Sequence, residues 1–422
     1  MKDNIMADTI PPDAQKSAGK KRVSKSGKVA DFRYKRSRQS GNRSRQSRAG
    51  GPRKGDGNPS QNTNRTSQHT RAPASGAPRK GEAYAALDLG TNNCRLLIAR
   101  PSGKDFTVID AFSRVVKLGE DLATTGRLSD EAMDRALGAL KICAEKLRRR
   151  NVRLARSVAT EACRRAENGP AFIERVRQET GIVLDIISAE EEARLAVLGC
   201  HILLEQGDGP AVIFDIGGGS TELVLLQPGG KIPRIIDWQS VPWGVVSLTD
   251  TVKRVEATDN MSRQDARLAR YAKMRNVVSD SFAPFAERIA AAATKDDIRL
   301  LGTSGTVTTL ASLHLELPHY DRKAVDGLIV PSGAMRTIST DLSGMSPEER
   351  STLPCIGQDR ADLVVAGCAI LESILDLWPA ERLGVADRGI REGILRSLMA
   401  AERQSERSLK ALHDTRAEQK GR

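Results

Sequence analysis

Asp215 and Glu222 bracket three glycines and two hydroxyls in the segment DIGGGSTE. Apolar runs at 211–214 and 223–226 predict two strands joined there by a hairpin. Gly217, Gly218 and Gly219 put no side chain between a ligand and the backbone amides, and glycine takes the φ > 0 conformations a tight hairpin needs. Those amides, with the Ser220 and Thr221 hydroxyls, make a cradle for phosphate. Asp215 and Glu222 are placed to hold a metal ion that neutralises phosphate charge. An ordinary hairpin with a glycine-rich turn is the alternative.

A second copy weighs against that alternative. Residues 85–99, AALDLGTNNCRLLIA, again run from an apolar strand through Asp88-x-Gly90 and a polar turn into an apolar strand. The repeat predicts two similar halves facing each other across a cleft. Asn92 and Asn93 follow Gly90 and can point their amides into it. Arg95 alternates with the strand core and reads as an ordinary exposed position.

Other polar groups invite the same chemistry. Gly302, Thr303, Ser304, Gly305 and Thr306 form a turn that enters a helix, and free amides at a helix N-terminus attract anions. A capped strand-to-helix connection is the alternative. Arg164 or Arg165 can grip an anion if it faces the cleft, or can be one of a surface pair. Glu190, Glu191 and Glu192 follow the N-cap residue Ser188, where the helix dipole favours acidic groups by about 0.3–1 kcal/mol. If that helix points into a phosphate site, one of the three can be a general base. Asp387 and Arg388 sit at a strand–helix junction, where open α/β sheets keep their ligand residues.

These groups must be positioned by alternating elements. Strands are expected at 84–87, 95–99, 106–112, 154–158, 183–187, 232–238, 298–301 and 382–385. Helices are expected over 129–149, 159–168, 172–180, 188–204, 243–252, 263–294 with a break at Pro284 and 359–375, and ADRGIREGIL leads into a final helix.

The charge is uneven. Residues 1–80 hold 20 Lys/Arg against 5 Asp/Glu, a net of +15, and the remainder holds 46 against 48, a net of −2. The N-terminal segment has too few apolar residues to offset its ordering entropy and is expected to be a disordered basic arm. Its stretch 33–48 suits polyanions, RNA or polyphosphate among them, or serves only as a solubilising tail. The first residues lack the apolar core of a secretory signal, and no apolar run is long enough to span a bilayer. Six cysteines without a CxxC pair and five histidines without ligand spacing point to a cytoplasmic protein with reduced thiols and no zinc site.

Taken together, AALDLGTNNCRLLIA, ATEACRRAEN, AEEEARLAVLG, VIFDIGGGSTELVLL, LLGTSGTVTTLA and ADRGIREGIL resemble, in order, the motifs of the Ppx/GppA family (exopolyphosphatase/guanosine pentaphosphate phosphatase) across residues 82–399. The resemblance implies an α/β protein of two ribonuclease-H-like domains, as in the actin/hexokinase/Hsp70 superfamily, with an interdomain cleft. It puts the domain boundary near the end of the EEARLAVLG helix, which gives an N-terminal domain (81–198) and a C-terminal domain (199–403); the basic arm (1–80) lies outside the resemblance, and a polar tail (404–422) is expected after it. The chain looks like the short, two-domain form of the family. The implied activity is hydrolysis of a terminal phosphoanhydride, with Mg²⁺ as cofactor. Carried over by position, Glu192 matches the catalytic base, Arg164 a phosphate-touching arginine, Gly219 and Ser220 the phosphate loop, and Asp215 and Glu222 its acidic residues. Asn93-Cys94 departs from the family pattern.

The mechanism expected from these residues has Asp88, Asp215 and Glu222 placing Mg²⁺ and the two glycine turns and Arg164 holding phosphate oxygens. The substrate is inorganic polyphosphate or guanosine pentaphosphate. The rival readings are a non-catalytic polyphosphate or nucleotide sensor and a kinase of the same superfamily. The reading leaves room for a homodimer.

Overall fold

The computed structural model describes residues 82–420 except 104, 228, 230–232, 259 and 294–297, with backbone alone at 406 and 409–420. The basic arm expected over 1–80 lies outside the described residues.

The first half is a five-stranded sheet. β1 (Ala83–Leu89), β2 (Asn93–Ser102) and β3 (Asp105–Val115) form an antiparallel meander. β4 (Val152–Ala159) and β5 (Leu184–Ile186) continue it in parallel, in the order β3-β2-β1-β4-β5. The second half repeats the plan. β6 (Ala211–Ile216), β7 (Thr221–Gln227) and β8 (Arg234–Val241) are its meander, and β9 (Arg299–Thr303) lies parallel beside β6. β10 (Ile329–Pro331) and β11 (Arg382–Ala386) complete the order β10-β11-β9-β6-β7-β8.

Helices α1 (Leu122–Thr125), α2 (Asp130–Arg149), α3 (Glu161–Arg165), α4 (Gly169–Thr180) and α5 (Ala189–Cys200) belong to the first half of the chain. The second half carries α6 (Val245–Thr251), α7 (Arg263–Ile289), α8 (Gly305–His314), α9 (Arg322–Val325), α10 (Ser332–Gly344), α11 (Pro347–Ser351), α12 (Leu363–Leu377) and α13 (Ile390–Lys420).

The central strands are apolar on both faces because both faces are covered. On one face of the first sheet Ala85 and Leu87 pack with Ala136 and Leu140 of α2, and on the other Tyr84 and Ala86 pack with Leu395 and Leu398 of α13. On the second sheet Val212 and Phe214 meet Phe282 of α7 and Ile370 of α12, while Ala211 and Ile213 meet Ala193 and Val197 of α5.

Helices α5 and α13 therefore lie between the two sheets, and their backbones come into direct contact at glycines. A Cβ on Gly199 would strike the Gly389 carbonyl, and one on Gly393 would strike the Leu195 carbonyl.

Several boundaries differ from expectation. α7 runs unbroken through Pro284, held on both sides by the buried rings of Phe282 and Phe285. The helix expected over 159–168 is the short α3, and the one capped by Ser188 ends at Cys200, followed by a 3₁₀ turn at His201–Leu203. The helix expected from 359 begins at Leu363, and the polar segment 404–420 continues α13. No helix among the described residues is long and apolar enough to cross a membrane.

Candidate active site

Both hairpins aim their turns at one cleft. In β1–β2, Asp88 stands opposite Arg95, and in β6–β7, Asp215 stands opposite Glu222. The two pairs hold the same place relative to Asp-x-Gly, so the duplicated frames differ in charge at one position.

The glycine hairpin is shaped by contact as well as by access. The Gly217 amide closes the turn on the Ser220 carbonyl at 2.9 Å. A Cβ on Gly218 would come within 2.9 Å of Thr91 Cβ, and one on Gly219 within 2.7 Å of Thr91 Oγ1. The two turns thus press together across the cleft. The amides of Gly218, Gly219 and Ser220 donate to no protein acceptor among the described residues. The Ser220 hydroxyl is not free: it donates to Glu222 Oε1 at 2.7 Å, as does the Ser240 hydroxyl at 3.0 Å.

Of the three glutamates on α5, Glu192 lines the cleft and is 7 % exposed. Glu191 is turned to Arg156 (2.8 Å) and Arg194 (2.6 Å). Glu192 accepts from Arg164 Nη1 at 3.0 Å, and Arg164 also bonds Glu161 at 2.6 Å and the Ile187 carbonyl at 2.8 Å. Burial works against the Arg164 guanidinium, but Glu192 and Glu161 outweigh it and hold its pKa above the usual value. Arg164 therefore stands behind Glu192 instead of lining the cleft, and Arg165 is exposed.

The acidic groups raise one another. Burial, then the Glu222 charge, pushes Glu192 well above the usual carboxylate range, with Arg164 pulling the other way. Burial first and Glu222 second push Asp215 up to about 8. Burial also raises Asp88 and Glu222. Asp88 Oδ1 and Asn92 Oδ1 are buried without a hydrogen-bond partner. Buried, mutually repelling carboxylates with free lone pairs fit a cation. Among the described residues no three of them converge as ready-made ligands of one ion.

The GTSGT turn divides. Ser304, Gly305 and Thr306 line the cleft. Ser304 has φ +151° and ψ 171°, a region almost reserved for glycine, and strain of that kind persists where the surroundings enforce it. Its hydroxyl caps α8 by accepting from the Val307 amide at 3.3 Å. Gly302 and Thr303 are corrections to the expected phosphate set. Gly302 is buried inside β9, where a Cβ would press on the Phe214 ring within 2.6 Å. Thr303 is also buried, and its hydroxyl donates to the Arg388 carbonyl at 2.8 Å. Thr303, Arg388 and Asp387 line a small branch of the cleft, the last two paired with Asp326 (2.7 Å) and Arg322 (3.0 Å).

Thr91, Glu161, Arg95 and Arg360 line the cleft without having been singled out as site residues. Arg95 corrects the reading of it as an ordinary exposed position: the first hairpin sets it opposite Asp88, at the cleft. Arg360 comes from a 3₁₀ turn before α12 and left no signal in the sequence.

Two duplicated mixed sheets with paired hairpin turns over a phosphate-type cleft define an actin-like, two-domain α/β protein. The chain belongs to the Ppx/GppA phosphatase family, which matches residues 97–402. It is 29% identical over 327 residues to exopolyphosphatase 2 of Mycobacterium tuberculosis, covering 74% of this chain and 98% of that one. It is 26% identical to the guanosine-5'-triphosphate,3'-diphosphate pyrophosphatase of Pseudoalteromonas atlantica, across 79% of this chain and 61% of that protein. Among solved structures it is similar to an exopolyphosphatase from Cytophaga hutchinsonii (TM-score 0.65, 26% identity, 76% of this chain and 98% of that one). The Aquifex aeolicus Ppx/GppA family member gives a TM-score of 0.60 at 29% identity, over 76% of this chain and 98% of that one.

Proposed function

We propose that the protein removes the terminal phosphate of inorganic polyphosphate by hydrolysis. The observation that carries this reading is Glu192, buried and fixed by Arg164, lining one cleft with the unengaged amides of Gly218, Gly219 and Ser220. Water attacks the terminal phosphorus while Glu192 takes its proton. The amides of both turns hold the phosphate oxygens. Asp88, Asp215 and Glu222, with Asn92, would hold Mg²⁺, which when bound neutralises charge on the phosphates. Phosphoryl transfer passes through a loose transition state, so positioning and charge neutralisation supply most of the catalysis. Burial and the Glu222 charge raise the Glu192 pKa and so make it a stronger base, as proton abstraction needs.

Guanosine pentaphosphate is the rival substrate, since a relative is named for it. Polyphosphate is put first because the relatives matched over nearly all of their own length are named exopolyphosphatases. The basic arm, residues 1–80, is proposed as a tether for polyphosphate or another polyanion such as RNA. The test is orthophosphate release with Mg²⁺ from long-chain polyphosphate and guanosine pentaphosphate side by side, with Glu192→Gln as blank. A higher kcat/KM on polyphosphate is expected, and the reverse order would make the protein an alarmone phosphatase. Tight binding without release would favour the sensor. Deleting residues 1–80 is expected to raise KM for long chains and flatten its salt dependence.

A further inference from the structure

Arg391 stands near the Asp88 and Glu392 carboxylates and favours their charged forms, but it makes no hydrogen bond or ion pair with either. It is the second residue of α13, and the dipole of a helix N-terminus disfavours a cation. Its neighbours are already matched. Glu392 accepts from Arg322 at 2.8 Å and from the Gly389 amide at 3.0 Å, and Asp387 and Arg388 are paired with Arg322 and Asp326. Arg391 is left without an ion-pair partner among the described residues. It also lies close enough to Arg95 that burial and the Arg391 charge together lower the Arg95 pKa.

Arg391 lines a small cavity that branches from the cleft. Asp88, Arg95 and Asp215 line both spaces, Glu192 and Glu222 only the cleft, and Arg391 only the branch. Asp387 and Arg388 also line the branch but are paired with Arg322 and Asp326, so the cations there without an ion pair among the described residues are Arg95 and Arg391. In-line displacement needs the attacking water and the leaving oxygen on opposite sides of the phosphorus. With Glu192 assigned to the water side, the branch that holds Arg95 and Arg391 is the place for the leaving oxygen.

We propose that Arg391, together with Arg95, binds the penultimate phosphate of the chain and stabilises it as the leaving group. The inference rests on the hydrolase reading above. As the water oxygen bonds to the terminal phosphorus and its proton passes to Glu192, the bridging P–O bond breaks. The electron pair stays on the bridging oxygen of the penultimate phosphate, beside the guanidiniums. Orthophosphate and a chain one unit shorter result.

The test uses full-length protein in the Glu192→Gln background with Mg²⁺, and measures calorimetric binding of tripolyphosphate and of orthophosphate. Arg391→Gln is expected to weaken tripolyphosphate by roughly 10–100-fold, the loss typical of a charge-assisted contact, and orthophosphate by less than about twofold. Arg391→Lys should recover part of the loss. The Tm of Arg391→Gln should change little, because no hydrogen bond or ion pair is lost and relief of the repulsion with Arg95 offsets the lost attraction to Asp88 and Glu392. Unchanged tripolyphosphate affinity would overturn the assignment. So would equal weakening of both ligands, which would place Arg391 on the cleaved phosphate. A fall in Tm that lysine does not restore would assign a structural role and overturn it too. Failure of tripolyphosphate to bind with Arg391 intact would overturn the hydrolase reading, and this inference with it.

Discussion

Arg164 donates from Nη1 to Glu192 Oε2 at 3.0 Å and from Nη2 to Glu161 Oε2 at 2.6 Å. One guanidinium thus joins α3 to α5 and fixes the Glu192 carboxylate at the cleft wall. A planar fork that bonds two carboxylates and a backbone carbonyl leaves the Glu192 side chain little rotational freedom.

Glu192→Gln keeps the shape of the side chain and removes its basicity. The expected loss in kcat is about 10²–10⁴-fold, the usual worth of a general base, with far-UV circular dichroism and Tm preserved. An unchanged kcat for orthophosphate release would remove Glu192 from the chemistry.

Arg164→Gln should act through Glu192. Arg164 is the neighbour that lowers the Glu192 pKa, so its removal raises that pKa further. A base must be deprotonated to work, so the acid limb of the kcat/KM–pH profile should move to higher pH as the plateau falls. A fall in rate with the limb in place would mean that Arg164 does not act on Glu192.

Gly393→Ala puts a methyl group against the Leu195 carbonyl at the α5–α13 crossing. Backbone atoms there cannot turn aside as a side chain would. A loss of roughly 1–3 kcal/mol in urea unfolding is expected, the usual range for overpacking. Stability equal to that of the unsubstituted protein would show slack at the crossing.

Asp110 on β3 offers a prediction on acid stability. It accepts from Lys146 Nζ at 2.7 Å and Arg150 Nε at 2.8 Å, and its side chain is 9 % exposed. The Lys146 hydrogen bond first, then that of Arg150 against an opposing cost of burial, holds its pKa down to about 2. A folded pKa below the unfolded value of about 3.9 means stabilisation that is full above the unfolded pKa and lost as pH falls through about 2. Asp110→Asn should cost about 1–2 kcal/mol at pH 7, allowing for the partly exposed partners, and little near pH 2. The same penalty at both pH values in urea titrations would contradict the ion-pair account.

The strands and hairpin turns were legible because they rest on local facts: apolar runs, Asp-x-Gly and the repeat itself. Glu192 was legible as a member of a capped acidic turn, but its separation from Glu191 depends on Arg156 and Arg194 taking the latter. Gly302 was misread because a glycine beside hydroxyls looks like a loop. What makes it glycine is the Phe214 ring on the neighbouring strand, a contact between distant parts of the chain. Pro284 was read as a breaker, yet the flanking buried phenylalanines keep α7 whole. Tertiary packing decided each of these against local propensity.

The close crossing of α5 and α13 also sets a distance. Glu192 rides on α5 and Arg391 on α13. Where these helices meet, the contact is backbone against backbone, at Gly199 with Gly389 and at Gly393 with Leu195. A side chain can turn aside and a carbonyl cannot, so the spacing of the two charged groups is held by the main chain itself. A methyl group added at Gly199 or Gly393 would push one of these groups away from the other without touching the cleft.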